Sequence, residues 1–333
     1  MHRITTHRLT LAALTTVTLA ALARPAAAQN LYITSGSYTA NDATYQNGII
    51  FVGEDSTGNK SANGTPYVAA LLVRNSAGVN EADAFNGNMI SVTGGSVSLV
   101  QGFDASATTI SGGNVSEADA RNASNTTISG GSVGTAQGYD TSTTAVSSGS
   151  VGNTIGNNNS TINISDGTVM LATGNAGSVT NISGGSVGEV DGYDSAINIS
   201  AGAVTTALSY GSSKFSVSGG TLTNGLELID PSATANFVGT GLTYTSNGYN
   251  TTSSGGSADT FTVSGFFGGA SQSYVLYVDN PNGATGTPNP APHQFTFNGR
   301  PPTAATVPEA GTLALALPAF AIGAISRCRN RKS

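Results

Sequence analysis

The chain has 333 residues, of which 44 are glycine, one is cysteine and only 9% are charged, against about 25% in an average domain. The glycines lack the every-third-residue spacing of collagen, and one cysteine excludes a disulfide-built scaffold. Nucleic-acid binding is disfavoured because contacts to phosphate need clustered Lys and Arg. A charge-driven disordered chain is also disfavoured, since such chains carry more net charge and fewer β-branched residues.

The N-terminus has the order of parts of a secretory signal peptide. Two arginines precede a mostly apolar stretch, residues 9–22, and the small residues Ala26 and Ala28 stand just before Gln29. A membrane anchor is the alternative, and the shortness of the apolar stretch disfavours it. The sequence therefore predicts that signal peptidase removes residues 1–28.

The C-terminal residues 307–333 contain a short motif, an apolar stretch and a basic end. The motif consists of Val307, Pro308, Glu309 and Ala310. The apolar stretch, residues 313–326, is shorter than the roughly 20 residues of a full membrane span. The basic cluster behind it predicts that the tail stays on the cytoplasmic side.

In this order of parts the tail resembles the PEP-CTERM sorting signal of bacterial surface proteins, with Ala310 in place of the second proline of the motif. The resemblance implies transient membrane anchoring through residues 313–326, cleavage near the motif by an exosortase-type processing enzyme, and delivery to the cell surface. A plain membrane anchor at the C-terminus is the alternative interpretation.

Removal of both termini would leave a strongly acidic body. All 18 acidic residues lie between Asp42 and Glu309, and five Lys and Arg remain within residues 29–309, so this segment carries a net charge of −13. Such a charge favours divalent cations over polyanions as partners. Cys328 lies in the tail, so the mature protein is predicted to be free of cysteine.

The central region consists of eight blocks of the type Ile-Ser-Gly-Gly-Ser-Val, spaced 17 or 18 residues apart. The blocks begin at Val92, Ile110, Ile128, Val146, Ile164, Ile182, Ile199 and Val217. A fixed period of this length is the signature of a solenoid. The β-branched first and sixth positions suit strands, and the glycine at the fourth position permits a turn with positive φ.

The sequence thus predicts an all-β protein, a parallel β-helix of about eight 18-residue coils over residues 92–225. Apolar runs in residues 29–91 predict an N-terminal cap with a hairpin, and added aromatic residues in 226–280 predict a β-rich C-terminal cap. Residues 281–306 read as a proline-rich spacer. A signal peptide and a C-terminal apolar helix complete the predicted organisation. The blocks also resemble the Ser/Gly-rich repeats of autotransporter passenger domains.

Six loop sites recur after the blocks at 18-residue spacing. They are Phe103-Asp104, Arg121-Asn122, Tyr139-Asp140, Asn157-Asn158, Asn175-Ala176 and Tyr193-Asp194. One interpretation is a ligand edge on which sugar rings stack against the aromatic side chains. The other is a ladder of turns, because Asn and Asp tolerate the left-handed conformation and bond their own backbone. The second interpretation is favoured.

A calcium site and a catalytic site are further alternatives. Glu189, Asp191 and Asp194 together offer oxygen ligands for one calcium ion, but the Gly-Gly-x-Gly-x-Asp motif of calcium-binding β-rolls is absent. The carboxylate pairs Glu117/Asp119 and Glu189/Asp191 are of the type that hydrolyses glycosides. No cofactor is predicted.

Catalysis is disfavoured by the side chains that the body lacks. No Lys or Arg occurs between Arg121 and Lys214, and the only histidine of the body, His293, lies in the spacer. A cationic clamp or a base that titrates near neutrality is therefore hard to assemble. The sequence favours a secreted structural or adhesive surface protein, then a polysaccharide-binding module using Phe103, Tyr139 and Tyr193, and last a polysaccharide-cleaving enzyme.

Overall fold

The protein is an all-β solenoid of about 11 turns of about 18 residues. The computed structural model describes residues 30–41, 45–60, 69–75, 77–251, 257–279 and 294–302, all within one compact unit that ends at Pro302. These residues form 21 strands in one hydrogen-bonded sheet and include no helix. The predicted parallel β-helix is thus confirmed, whereas the predicted number of eight coils is too low.

The additional coils lie in the region for which the sequence predicts a hairpin cap. Its strands are β1 (Leu31–Ile33), β2 (Gly36–Ala40), β3 (Tyr45–Val52), β4 (Ala69–Val73) and β5 (Gly78–Ala84). β1 pairs with β3, β2 with β4, and β3 with β5, all in parallel. Among the described residues of this region, Glu54 and Lys60 form an isolated antiparallel bridge. The 16 residues between Val52 and Ala69 interrupt the 18-residue period in the sequence, which explains the low count.

The central coils stack in register through parallel pairing. Their strands are β6 (Met89–Gly102), β7 (Ala107–Ala120), β8 (Asn125–Gly138), β9 (Thr143–Gly156), β10 (Thr161–Ile164), β11 (Thr168–Asn175), β12 (Val179–Tyr193), β13 (Ala196–Tyr210), β14 (Lys214–Val217), β15 (Thr221–Leu222) and β16 (Leu226–Leu228). Ile110 lies over Ile128 and Val115 over Val133, so equivalent block positions are direct neighbours.

The first and sixth block positions form the core of the solenoid. Ile110, Ile128, Val115 and Val133 are each at most 1% exposed, and their neighbours in the strand alternate between interior and surface. Burial of one such side chain contributes about 1.5–3 kcal/mol relative to exposure. The ladders of β-branched residues predicted from the blocks therefore fill the interior.

The fourth block position turns every central coil. The glycines there all have φ between +73° and +87°: Gly95, Gly113, Gly131, Gly149, Gly167, Gly185, Gly202 and Gly220. The coils also approach each other closely at this corner. A Cβ placed on Gly131 would lie 2.7 Å from the carbonyl oxygen of Gly113 in the preceding coil. Glycine is needed here for its conformation and for its size.

An aromatic-rich sheet packs on the C-terminal end of the solenoid. Its strands are β17 (Thr234–Phe237), β18 (Thr240–Thr251), β19 (Ser257–Phe267), β20 (Ala270–Asp279) and β21 (Phe295–Phe297). β18, β19 and β20 are antiparallel, while β20 pairs in parallel with β16 and β21 with β17. Phe237, Phe261 and Tyr274 are buried at this end. These pairings satisfy strand edges that would otherwise recruit other chains.

We expect Gly131→Ala to destabilise the protein by about 3 kcal/mol, because a left-handed backbone conformation and a clash with the neighbouring coil act together. Gly87→Ala is the matched control, since Gly87 also has positive φ, +79°, but a Cβ there meets nothing within 4 Å. The control is expected to lose about 1 kcal/mol. Urea denaturation measures both, and equal losses would contradict the close approach of the coils.

Candidate functional site

The predicted loop sites are brought together at one corner of the solenoid. The register pairs Ala84 with Gly102 and continues coil by coil to Gly192 and Ser209. The residue that follows each of these positions therefore stands in one row. We call this row the corner column. It consists of Phe85, Phe103, Arg121, Tyr139, Asn157, Asn175, Tyr193 and Tyr210.

A short turn after each corner-column residue explains why the chain bends there. In the coil of Tyr139, the backbone N–H of Tyr139 donates to Ser142 Oγ at 2.9 Å, and the Ser142 N–H donates back to the Tyr139 carbonyl at 3.2 Å. The residue between them that follows Tyr139, Asp140, has φ of +58°. The buried serine and the left-handed residue thus close the turn together.

The same left-handed conformation recurs at the second residue of every predicted loop site. The residues are Asp104, Asn122, Asp140, Asn158, Ala176 and Asp194, with φ between +46° and +58°. Asp194 Oδ1 also accepts the backbone N–H of Ser212 in the next coil at 2.7 Å. The left-handed conformation predicted for Asn and Asp at this corner is thus observed at every one of these sites, and the bond of Asp194 links one turn to the next.

The long side chains of the corner column stack on one another. The rings of Phe85 and Phe103 are 4.9 Å apart and 10° from parallel, and those of Tyr193 and Tyr210 are 4.5 Å apart and 4° from parallel. The guanidinium carbon of Arg121 lies 5.9 Å from the ring centre of Phe103 and 4.8 Å from that of Tyr139. Stacked rings and cation–π contacts each contribute about 0.5–1.5 kcal/mol.

This stacking covers ring faces that would have to be exposed if sugar rings stacked on this edge. Phe103 has Phe85 on one face and Arg121 on the other. Tyr139 and Tyr193 each have such a neighbour on one side, and among the described residues no ring or cation covers their other face. Of the three predicted aromatic platforms, only these two tyrosines keep a face for a ligand.

Three acidic side chains lie next to the corner column, each two positions before a corner-column residue in its coil. The register aligns them with neutral residues in a second row, which we call the flanking column: Asp83, Gln101, Asp119, Gln137, Ile155, Thr173, Asp191 and Leu208. Asp83, Asp119 and Asp191 are 6%, 2% and 8% exposed. The Oδ1 atom of each has no hydrogen-bond partner among the described residues.

Burial changes the acidity of two of these aspartates. Desolvation, followed by the charges of Glu81 and Glu54, raises the pKa of Asp83 to about 7. Desolvation, followed by the charge of Glu189 and a hydrogen bond with it, raises the pKa of Asp191 to about 7. Near neutral pH both carboxyls are therefore partly protonated, which removes charge from an otherwise acidic surface.

Arg121 balances the negative charge of the third aspartate, Asp119, and links the corner column to the flanking column. Its Nη2 lies 2.8 Å from Asp119 Oδ2, which also accepts a hydrogen bond from Gln101 Nε2 at 3.2 Å. In the next coil Tyr139 Oη donates to Gln137 Oε1 at 2.6 Å. Arg121 and Tyr139 thus each bond the flanking-column residue two positions earlier in their own coil.

The residues predicted for calcium binding do not come together. No group of three or more His, Cys, Asp and Glu side chains could hold a metal ion within the ranges that the structure describes. Asp191 and Glu189 bond each other, whereas Asp194 faces Ser212. Of the pairs considered for catalysis, Glu117/Asp119 is engaged by Gln137 and Arg121.

The predicted processing residues lie outside the described ranges. They are Ala26, Ala28 and Gln29 at the signal cleavage site and Val307, Pro308, Glu309 and Ala310 in the sorting motif. The apolar stretch of residues 313–326 also lies outside them. Within the described ranges no helix is long and apolar enough to cross a membrane.

Three members of this site were missed by the sequence analysis. Phe85 and Tyr210 extend the corner column by one coil at each end, and Lys60 places its Nζ 4.2 Å from the ring centre of Phe85. The 18-residue spacing could have identified Phe85, because Phe85-Asn86 stands 18 residues before Phe103-Asp104. Lys60 comes from the loop after β3, which has no equivalent in the repeat.

Comparison with models of known protein families, with curated proteins and with solved structures finds no match for this chain.

We expect Asp191→Asn to stabilise the protein more at pH 8 than at pH 5. The folded state holds a proton up to a pKa of about 7, whereas an unfolded aspartate releases it near 3.9, so rising pH destabilises the folded state across this window. The asparagine variant lacks this penalty. Thermal melts should show a gain at pH 8 on the order of 1 kcal/mol, or about 2–4 °C in Tm.

Asp140→Asn is the matched control, because Asp140 is an exposed aspartate at a corner turn and asparagine tolerates its conformation. Its effect on Tm should be similar at both pH values. A gain from Asp191→Asn that is the same at pH 5 and pH 8 would show that Asp191 does not hold a proton in the folded protein.

Proposed function

We propose that the protein is a secreted, exosortase-sorted cell-surface or extracellular-matrix protein with a structural or adhesive role in the bacterial envelope. The observation that carries this proposal is the parallel stack of coils from β6 to β13, which are in register at their core positions. The hydrogen-bonded ladders of such a stack resist mechanical load along many parallel bonds.

The order of the termini supports the proposed location. A signal peptide over residues 1–28 directs export and is removed by signal peptidase, and the tail of residues 307–333 supplies the anchor and the processing site. A body with a net charge of −13 is soluble and repels polyanions, which suits a hydrated surface that is poor in polyanions. The absence of cysteine before position 328 makes the folded body independent of the redox state of its surroundings.

A second proposed function is binding of an exopolysaccharide at the corner column. It is supported by the partly open tyrosines Tyr139 and Tyr193, of which Tyr193 is 39% exposed. Aromatic rings bind the apolar faces of sugars, and amide and carboxylate groups bind their hydroxyls. The two proposals are compatible, because an adhesive rod needs a surface that holds the matrix.

Expression in a bacterium that carries an exosortase tests the first proposal. The intact mass of the surface-extracted protein should correspond to a chain that begins at Gln29 and lacks the residues after the sorting motif. The double variant Pro308→Ala/Glu309→Ala should remain membrane-associated at full tail length. Thr306→Ala, one residue before the motif, is the control and should be processed. Retention of the unmodified chain in the cytoplasm would contradict the proposal.

A glycan array tests the second proposal. The mature protein should bind at least one neutral oligosaccharide class among cello-, xylo-, laminari- and chito-oligosaccharides. It should bind oligogalacturonate less, because its acidic surface repels uronates. Absence of binding to every glycan would remove this second function and leave the structural role in place.

A further inference from the structure

The corner column is interrupted at two successive coils. Between Tyr139 and Tyr193 it carries Asn157 and Asn175, whose side chains are several bonds shorter than tyrosine. The tyrosines are three coil steps apart, which places their backbones about 14 Å from each other at about 4.8 Å per step. The shorter residues therefore leave a slot in the column, with a tyrosine at each end.

The floor of this slot is polar and uncharged. Asn175 Nδ2 donates to Asn157 Oδ1 at 3.1 Å, and Asn157 Nδ2 lies 3.4 Å from the Gly138 carbonyl oxygen. Each primary amide carries two N–H donors, and these bonds use one of each. The ordered amides thus present further donors and acceptors at fixed positions to a ligand above them.

The side of the slot is apolar and partly open. In the flanking column the slot coils carry Ile155 and Thr173, both uncharged and partly exposed, whereas the three aspartates of this column are buried in other coils. Leu171 adds a second partly exposed apolar side chain next to them. Apolar surface beside ordered amides is the pattern of a sugar site, because a pyranose has both C–H faces and hydroxyl edges.

The walls are two ring faces turned toward each other. Arg121 occupies the outer side of Tyr139 and Tyr210 the outer side of Tyr193, so the slot sides of both rings have no ring or cation against them among the described residues. Neighbouring atoms in contact stand about 3.5–4.0 Å apart, so about 14 Å accommodates one sugar ring against each wall.

The charge around the slot selects the class of sugar. Glu117 and Asp119 lie before the slot, and Glu189 and Asp191 lie after it. None of the four corner- and flanking-column residues between the tyrosine coils is charged, and neither are Asn153 and Leu171, two positions before the flanking column. A uronate polymer would meet carboxylates on both sides without a cation in the slot. A neutral sugar meets amides, a hydroxyl, apolar side chains and rings.

We propose that the slot between Tyr139 and Tyr193, with Asn157 and Asn175 as its floor, is the binding site for the sugar rings of an uncharged polysaccharide. The inference rests on the second proposed function and names the site and the ligand class for it. Tyr139 and Tyr193 supply stacking surfaces, and the two asparagines fix the orientation of the sugar through its hydroxyls.

Filling the slot tests this site without removing any wall. Asn157→Tyr/Asn175→Tyr would continue the column with rings that stack as Tyr193 and Tyr210 already do, so folding should be retained. Isothermal titration with the tightest-binding neutral oligosaccharide of the array should show at least tenfold weaker binding. Tyr139→Ala removes one wall of the slot and should weaken binding of the same oligosaccharide by a similar factor. This variant tests the site if the filled variant does not fold.

Tyr32→Ala is the matched control, since Tyr32 is a partly exposed tyrosine stacked on Phe51 many coils away from the slot. Its affinity should stay within twofold of the wild type. Circular dichroism checks that the filled and wall variants are folded. If the wild type binds a neutral glycan and these folded variants bind it equally well, the assignment of the site to the slot is wrong, whereas the proposal of polysaccharide binding is retained. If the wild type binds no glycan, both the slot proposal and the proposal of polysaccharide binding are wrong. Equal binding of oligogalacturonate would overturn the assignment to uncharged sugars.

Discussion

Every feature of this protein follows from the stacking of coils in register, which makes each residue the neighbour of its own equivalent 18 positions away. Like side chains then touch like side chains, as in the ladder of Asn163, Asn181 and Asn198, joined by bonds of 2.9 and 2.8 Å. Like charges directly opposite each other in a sheet are destabilising. A strongly acidic chain can form such a stack only if its acids avoid neighbouring coils.

The acidic residues obey this requirement in the described coils. In the flanking column Asp83, Gln101, Asp119 and Gln137 alternate between acid and amide, and Gln101 donates a hydrogen bond to Asp119. The corner turns alternate in the same way through Asp104, Asn122, Asp140 and Asn158, where both residue types adopt the left-handed conformation. Alternation spaces the carboxylates about 10 Å apart, near the screening length of physiological salt.

The repeat made the coil, its turning glycines and its inward β-branched ladders predictable, because each depends on residue types at fixed spacing. The coils before Met89 were not recognised, since the additional residues between Val52 and Ala69 break the period in the sequence. The closure of ring faces by stacking was missed for another reason. Sequence places Phe103 and Tyr139 two coils apart, but only side-chain positions show that Arg121 fills the space between them.

The flanking column differs between the coils that bury an acid and the coils of the slot. In the coils of Phe85, Arg121 and Tyr193 the flanking-column residue is a buried aspartate. In the coils of Asn157 and Asn175 it is Ile155 or Thr173, which is uncharged and partly exposed. A carboxylate at those two positions would be partly exposed at the side of the slot. Its charge would oppose the uncharged ligand chemistry that the amides and tyrosines there support.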